Sequence, residues 1–316
     1  MKYFEILRFI LLSALIMFRP CPLKGQSGPG ITLEAYDSIG AGPSGELYQM
    51  ADVTTDRDGT IYLTDMADNH IKKYNMGGYF LMQAGERGKA DAQFEGIRLI
   101  ATQDGLLYLT DQFKSGIRVF DKNGSFKTLI PFSYPIFDLS VESADRLWIE
   151  CFDTNRWGAL VCINSLGEEI DHIQFSFESP SVNDLVSFSR FRGSFIVAFK
   201  FKDTILRLNE AGQLLWKTSL NLPVKQYHQR VFGFDLPGKA VFKDIAVDTL
   251  GYIFVLGGHF SENSSRDIFV LDPDGHQITT LVLSEPTHCL YIDHRNVLYT
   301  RAKKGSLLQR YKLRYH

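Results

Sequence analysis

The sequence predicts an all-β protein, a six-bladed β-propeller whose blades are four-stranded antiparallel sheets. Three observations predict it: a turn-and-strand unit that recurs six times, a second turn element that follows it, and weak helical periodicity throughout. The 316 residues are 45% hydrophobic and include 26 glycines, which supplies a large core and many turns. A formal net charge of -2 argues against a protein built mainly to neutralise nucleic-acid phosphates.

The first repeated element is a tight turn followed by a β-branched or aromatic run. It is clearest in the stretches 58–65 (DGTIYLTD) and 104–111 (DGLLYLTD), and weaker copies begin near residues 145, 193, 251 and 296. The Asp-Gly pairs suit a hairpin because glycine accepts the positive φ that such a turn needs. The runs that follow are typical of strands that pack on both faces.

The second repeated element is an Asn or Asp after a hydrophobic residue, then two variable positions and a glycine. These glycines are Gly78, Gly124, Gly167, Gly212 and Gly275, at intervals of 46, 43, 45 and 63 residues. A single four-stranded sheet cannot bury both faces, so the units must pack on one another around an axis. Residues 30–36 are predicted to supply the outer strand of the sixth blade and so to close the ring.

The first 25 residues are predicted to be a secretory signal. Lys2 and Arg8 precede the apolar run 9–18, which is short for a transmembrane helix, and a polar stretch follows. An uncleaved membrane anchor is the alternative, and it would be the protein's one contact with a membrane. Residues 26–316 then form a single propeller domain that is exported to the periplasm, the cell surface or the extracellular space.

Three stretches of the first two blades carry a family resemblance: 85–94, 104–111 and 117–124. They resemble an NHL repeat, and the chain is similar to secreted bacterial six-bladed propellers of the NHL type. The match is good over roughly residues 40–125 and is confined mainly to the two turn elements elsewhere. The resemblance implies the fold and leaves the activity open, because propellers host many functions.

Propeller topology predicts where a ligand would bind. With strands a, b, c and d running from axis to rim, the d-to-a and b-to-c connections share one face, called here the loop-rich face. It gathers residues 85–95, 111–116, 152–158, 220–239 and 257–267, and the long interval before Gly275 places an insertion at 221–239. Phe232 and Phe234 of the insertion have a second interpretation, as filling between blades. The predicted ligand-binding residues are Arg98, Arg156, Trp157, Tyr227, His228, Arg230, His259 and Phe260.

The start of each inner strand is the other informative place. Asp52, Arg98, Asp138 and Asp244 lie seven residues before the turn position, and Asp184 matches if two extra residues are allowed. The four aspartates are candidate ligands for a hard cation such as calcium. The favoured interpretation is that each aspartate accepts backbone N–H groups where strands enter the channel, with Arg98 as a local counter-charge.

Catalytic motifs are mostly missing from the sequence. It contains no His-Glu-x-x-His, no Gly-x-Ser-x-Gly and no phosphate loop. His70, His228 and His259 reach one face, as zinc ligands would have to, although scattered histidines more often serve other roles. Cys151 and Cys162 flank the predicted b-to-c hairpin of the third blade, where they form either a cross-strand disulfide or two buried thiols.

These features predict a non-catalytic binding propeller of the cell envelope or extracellular space. Its partner is expected to be a protein, a peptide or a glycan, and not a nucleic acid, because the chain lacks net positive charge. The alternative is a metal-dependent hydrolase or lyase that uses the channel carboxylates as ligands. A third hypothesis is a structural module of a larger envelope assembly.

Overall fold

The structure is a computed structural model. It describes residues 30–42, 45–151, 153, 157–175, 181–224, 228–231, 234–237, 240–258 and 266–316, with the backbone alone at Val182 and over 228–231 and 234–237. Six four-stranded antiparallel sheets are arranged as the blades of a ring, which confirms the predicted fold class. Residues 1–25, on which the signal prediction rests, lie outside the described residues. Among the described residues, no helix has the length and apolar character that crossing a membrane requires.

The first three blades follow one another along the chain, each with its first strand at the axis. Blade 1 consists of β2 (Met50–Thr55), β3 (Ile61–Asp65), β4 (His70–Tyr74) and β5 (Phe80–Ala84). Blade 2 consists of β6 (Ile97–Gln103), β7 (Leu106–Asp111), β8 (Ile117–Asp121) and β9 (Phe126–Ile130). Blade 3 consists of β10 (Ile136–Ser143), β11 (Arg146–Cys151), β12 (Ala159–Ile163) and β13 (Glu169–Gln174).

The last three blades include an insertion and the closing strand. Blade 4 consists of β14 (Val186–Phe191), β15 (Ser194–Phe199), β16 (Ile205–Leu208) and β17 (Leu214–Thr218). The hairpin β18 (His228–Val231) and β19 (Phe234–Pro237) precedes blade 5, which consists of β20 (Phe242–Val247), β21 (Ile253–Gly257), β22 (Asp267–Leu271) and β23 (Gln277–Val282). Blade 6 consists of β24 (Leu290–Ile292), β25 (Val297–Ala302), β26 (Leu307–Tyr315) and β1 (Ile31–Ile39). Short 3-10 helices span Val182–Asp184 and Lys303–Gly305.

The second repeated element is the turn between the third and fourth strands of a blade. In blade 2 the Oδ1 atom of Asp121 accepts the backbone N–H groups of Asn123 and Ser125, each at 2.9 Å. Gly124 in this turn has φ 82, and a Cβ there would lie 2.4 Å from the Cβ of Ala84 in blade 1. The side-chain oxygen of the Asx residue thus shapes the turn, and glycine is needed for both conformation and space.

The core lies between neighbouring blades. β3 is buried along its whole length, and so is β12. Between blades 3 and 4 the Trp148 ring meets Phe195 edge-on, with ring centroids 4.7 Å apart. β3 and β12 are thus covered by neighbouring blades on both faces, as the apolar runs of the sequence predict.

The ring is closed by the N-terminal strand, as predicted. β1 pairs antiparallel with β26, from Ile31 opposite Tyr315 to Ile39 opposite Leu308. The buried Arg310 of β26 forms a two-point ion pair with Asp37 of β1. Its Nη1 also donates to the carbonyl of Met76 in blade 1, at 2.6 Å. One side chain therefore joins both ends of the ring.

Of the two alternatives left open for Cys151 and Cys162, a cross-strand disulfide and two buried thiols, the structure has the thiols. The β11–β12 register places Cys162 opposite Trp148, and no disulfide joins it to Cys151. Both side chains are buried, so the buried-thiol alternative holds. Burial raises the pKa of the Cys162 thiol to about 11, which keeps it protonated near neutral pH.

Replacing Arg310 with Met is expected to destabilise the ring closure. Arg310→Met leaves Asp37 and the Met76 carbonyl without their donor, which we expect to cost roughly 1–3 kcal/mol of unfolding free energy. The matched control is Arg314→Met, because Arg314 pairs with Glu34 across the same two strands but at the exposed surface. That change is expected to cost less than about 1 kcal/mol. Urea denaturation measures both, and equal losses would contradict the assignment.

Candidate functional site

The inner strands of all six blades surround a cavity of about 530 Å³ on the ring axis. Its volume lies in the range of small-molecule sites. One end of the cavity lies where the inner strands begin, and charged side chains border it there. Met66, Lys200 and Arg301 also border this end; each lies at or just after the end of the second strand of its blade. These second-strand ends lead into the b-to-c connections, so this end of the cavity belongs to the loop-rich face. We call it the channel mouth.

Three of the four predicted aspartates line the cavity at equivalent positions of alternate blades. Asp52, Asp138 and Asp244 follow a register shift in the inner strand and pair with Thr64, Glu150 and Leu256 of the second strand. They belong to blades 1, 3 and 5. Asp184 does not join them.

Each of the three carboxylates joins its blade to the next one. Oδ1 accepts the N–H of the following residue, at 2.8 Å in all three cases. Oδ2 accepts a backbone N–H group from the inner strand of the next blade. The donor is Ile100 for Asp52 at 2.9 Å, Phe188 for Asp138 at 2.9 Å and Leu290 for Asp244 at 2.7 Å. The backbone-capping geometry favoured from the sequence is present at all three.

Burial changes the protonation of these groups. It raises the pKa of Asp52 to about 7 and that of Asp244 to about 8, against their backbone hydrogen bonds, and it also raises the pKa of Asp138. The pKa of Glu150, which is 2% exposed, is raised well above its usual range by the same cause. The raised pKa values favour the protonated form of these four carboxyl groups near neutral pH. A protonated carboxyl is a poor ligand for a hard cation.

Arg98 reaches the cavity from a bulge in the inner strand of blade 2. The β6–β7 register shifts between Ile97 and Ile100, and the hydroxyl of Thr64 holds the bulge by donating to the Arg98 carbonyl at 2.5 Å. The guanidinium lies over the Phe137 ring, 5.4 Å from its centroid. Leu99 and not Arg98 is the counterpart of Asp52, because each donates its N–H to the equivalent threonine of the second strand. Blades 1 and 2 share the register shift, but the hairpin between the first two strands is one residue shorter in blade 2, so counting seven residues back from the glycine points one residue too early.

Four more basic side chains lie at the channel mouth, and no local sequence pattern predicts them there. Lys200 of blade 4 donates to the Ser187 hydroxyl at 2.7 Å. The Nζ of Lys243 lies 2.8 Å from the Nδ1 of His288, and Arg301 donates to the Lys304 carbonyl at 2.6 Å. Sequence reasoning missed all four, together with Glu150, since they come from blades far apart in the chain.

Asp184 lies apart from the channel carboxylates. It ends the 3-10 helix Val182–Asp184, is ion-paired with Lys202, and accepts the Ser181 N–H at 2.9 Å. The strand register makes Ser187 the counterpart of Asp52 in blade 4. Ser187 lies six residues before Gly193, just as Leu99 lies six residues before Gly105, so blade 4 needs no allowance for extra residues, and making one placed Asp184 three residues too early.

The other predicted ligand-binding residues were assigned to the loop-rich face from the sequence. Trp157 is half-buried beside the start of β12, and Gln174 donates to its carbonyl at 3.4 Å. His228 and Arg230 lie on the extra strand β18, of which the backbone alone is described. Arg156, Tyr227, His259, Phe260 and Phe232 lie outside the described residues. Within the part of the chain that the structure describes, no three His, Cys, Asp or Glu side chains come together as a metal site.

Comparison with known proteins identifies the fold and no family. No protein-family model matches the sequence, and no curated protein matches it. The chain is similar to a structure of streptogramin B lyase, with a TM-score of 0.60 and 13% identity over 90% of this chain and 98% of that chain. The NHL-type identity of the repeats therefore stays a prediction.

Two further structures are similar over 90% of this chain. One is a catalytically inactive virginiamycin B lyase from Staphylococcus aureus with quinupristin, with a TM-score of 0.58, 10% identity and 100% of that chain covered. The other is a protein of unknown function from Bacteroides thetaiotaomicron, with a TM-score of 0.58, 12% identity and 76% of that chain covered. At these identities the similarity establishes the propeller fold alone.

Asp244→Asn is expected to weaken the contact between blades 5 and 6. An amide has one acceptor oxygen, so one of the N–H groups of Ile245 and Leu290 loses its partner. We expect a loss of roughly 1–3 kcal/mol in unfolding free energy at pH 5.5, where the native carboxyl is neutral. The control Asp58→Asn, at an exposed turn, should stay within about 0.5 kcal/mol. Equal stability of both variants would contradict the bridging role.

Stability is expected to fall as the pH rises from 5 to 8. The folded-state pKa values of Asp52 and Asp244, about 7 and about 8, lie above the unfolded value of 3.8, so the native state retains protons that the unfolded chain has released. The free energy of unfolding therefore decreases with pH across this window. Urea titrations at fixed ionic strength should show a smaller decrease for the double variant Asp52→Asn/Asp244→Asn. An identical slope in both proteins would refute the assignment.

Proposed function

We propose that the protein is an exported, non-catalytic ligand-binding propeller whose ligand occupies the channel mouth on the loop-rich face. The observation that carries the proposal is the axial cavity of about 530 Å³, lined by polar groups from six blades. A rigid ring presents these groups in fixed positions, which is what a small-molecule, peptide-end or glycan site requires. Export rests on the signal-like pattern of residues 1–25.

The insertion before blade 5 supports binding on this face. It forms the hairpin β18–β19, a two-stranded sheet outside the blades, and β19 lies beside the helix Val182–Asp184. The hairpin adds backbone to the connection between blades 4 and 5, which leads into β20, the strand that carries Lys243. A long connection on a rigid scaffold is a common carrier of recognition. A peptide or glycan longer than the cavity would extend from the channel mouth over this hairpin.

The second candidate is a metal-dependent hydrolase or lyase, and the names of two similar structures favour it, since both are lyases. The geometry of the channel supports binding instead. Both oxygens of Asp52, Asp138 and Asp244 already accept backbone N–H groups, and burial raises the pKa of all three. Four cationic side chains, Arg98, Lys200, Lys243 and Arg301, share the mouth and repel a metal ion.

Affinity selection against a small-molecule extract tests the proposed function. The wild-type domain should retain at least one compound that Ala101→Trp does not, because Ala101 lines the cavity and an indole would fill part of it. Lys122→Trp, which adds the same side chain at an exposed turn on the rim, should retain the compound. Mass spectrometry of the eluted compounds gives the readout. Identical retention by all three proteins would contradict a ligand in the channel.

Chelation separates the two candidates. If the channel carboxylates serve as backbone acceptors, dialysis against EDTA should leave the Tm of the domain unchanged within about 1 °C, since no bound ion contributes to stability. Elemental analysis before dialysis should find no stoichiometric calcium, zinc or magnesium. A bound ion together with a lower Tm after chelation would favour the hydrolase or lyase.

A further inference from the structure

We infer that Arg98 binds a carboxylate of the ligand, so that the propeller selects an anion at the channel mouth. The inference rests on the proposed binding function and names the chemical class of the ligand. It is drawn from the hydrogen bonding of the guanidinium, the charge around it and the bulge that holds it.

The guanidinium of Arg98 has five N–H donors and uses none of them in the described part of the protein. The residue is half-buried, lines the cavity, and makes a contact through its flat face with the Phe137 ring. Burial lowers its pKa from the usual value, against the attraction of Asp138 and Asp52, and it stays a cation at neutral pH. Unused donors of a partly buried cation are costly, and a ligand oxyanion would satisfy them.

The neighbouring carboxylates do not take these donors. Among the described residues, no oxygen of Asp52 or Asp138 is within ion-pair distance of Arg98, and both side chains accept backbone N–H groups on each oxygen. The pKa of each is raised by burial, which reduces their negative charge near neutral pH. The guanidinium is thus left with its charge only partly balanced.

The other cations of the channel mouth have internal partners, which singles out Arg98. Lys200 donates to Ser187, and Lys243 lies against His288. Arg190, toward the other end of the cavity, forms an ion pair with Glu142 at 3.0 Å. These side chains add positive potential around the cavity, while Arg98 offers the open hydrogen-bonding groups.

The geometry of the residue selects a planar anion with two oxygens. The bulge at Ile97–Ile100 turns Arg98 toward the cavity, the Thr64 hydroxyl holds its backbone, and Phe137 supports one face of the guanidinium. A guanidinium held in this way presents two parallel N–H groups at its edge, which match the two oxygens of a carboxylate. The ligand class is therefore a carboxylate-bearing small molecule or chain end that fits in about 530 Å³.

Succinate and its neutral diamide, succinamide, form a matched pair of probes for the test. Titration of the ¹⁵N-labelled full-length mature domain at pH 6.5, followed by the side-chain Nε–H signals of arginine, should show saturable binding of succinate and none of succinamide. Arg98→Gln should weaken succinate binding at least tenfold, and Arg98→Lys should weaken it less, because it keeps the charge and loses the fork. Arg57→Gln, at an exposed turn, is the control and should bind as the wild type does.

Each result decides the inference. Succinate binding that survives Arg98→Gln, or equal binding of the two probes, would overturn the assignment to Arg98, and so would no binding of succinate by the wild type. If Arg98→Gln does not fold, weakened binding by the folded Arg98→Lys variant supports the assignment and wild-type affinity overturns it. A compound that the channel retains in affinity selection but that has no carboxylate would leave the binding function standing and remove only its anion selectivity.

Discussion

Asp52, Asp138 and Asp244 each accept a backbone N–H from the inner strand of the following blade, so the six blades are joined at the axis as three pairs. The hydrogen bonds replace the water that would otherwise solvate strand entries inside a channel. They also require carboxyl groups to be buried, and burial raises the pKa of each. The joining of the blades in pairs and the protonation of the channel thus have one common cause.

The same constraint determines what the channel can bind. Carboxyl groups that serve as backbone acceptors and retain protons are weak ligands for a metal ion. The cations contributed by the intervening blades are Arg98, Lys200 and Arg301, and internal partners occupy Lys200 and Arg301. Arg98 is the remaining cation, and its guanidinium N–H groups have no acceptor among the described residues. The balance of charge in the mouth therefore favours an anion over a cation.

The fold could be predicted from the sequence because its signals are local. An Asx residue and a glycine three positions later define a turn within four residues, and Asp121 with Gly124 shows the physical reason. Five such turns and six copies of the first turn-and-strand unit recur along the chain, and the copy without an outer strand of its own predicts that the N-terminal strand supplies it. Each of these inferences depended on neighbours in the chain.

The site could be predicted only in part, because it depends on register and on contacts between distant blades. Counting back from the turns located Asp52, Asp138 and Asp244. In blades 2 and 4 the hairpin between the first two strands is one residue shorter than in blade 1, so the same count placed Arg98 one position too early and, with two extra residues allowed, placed Asp184 three positions too early. Four basic side chains come together only when the ring is closed: Lys200, Lys243, His288 and Arg301. No spacing in the sequence therefore predicts that they share a site. The bonding of Cys151 and Cys162 stayed open in the sequence for a related reason, since symmetry about a hairpin does not fix its register.

The measurement that tests this account most directly is a ¹³C NMR titration of the aspartate side chains of the mature domain, with and without calcium. The account predicts midpoints of about 7 for Asp52 and about 8 for Asp244, unchanged by millimolar calcium, because both groups serve the backbone. Midpoints near 4, or carboxyl signals that shift on stoichiometric calcium addition, would contradict it and make the channel a metal site.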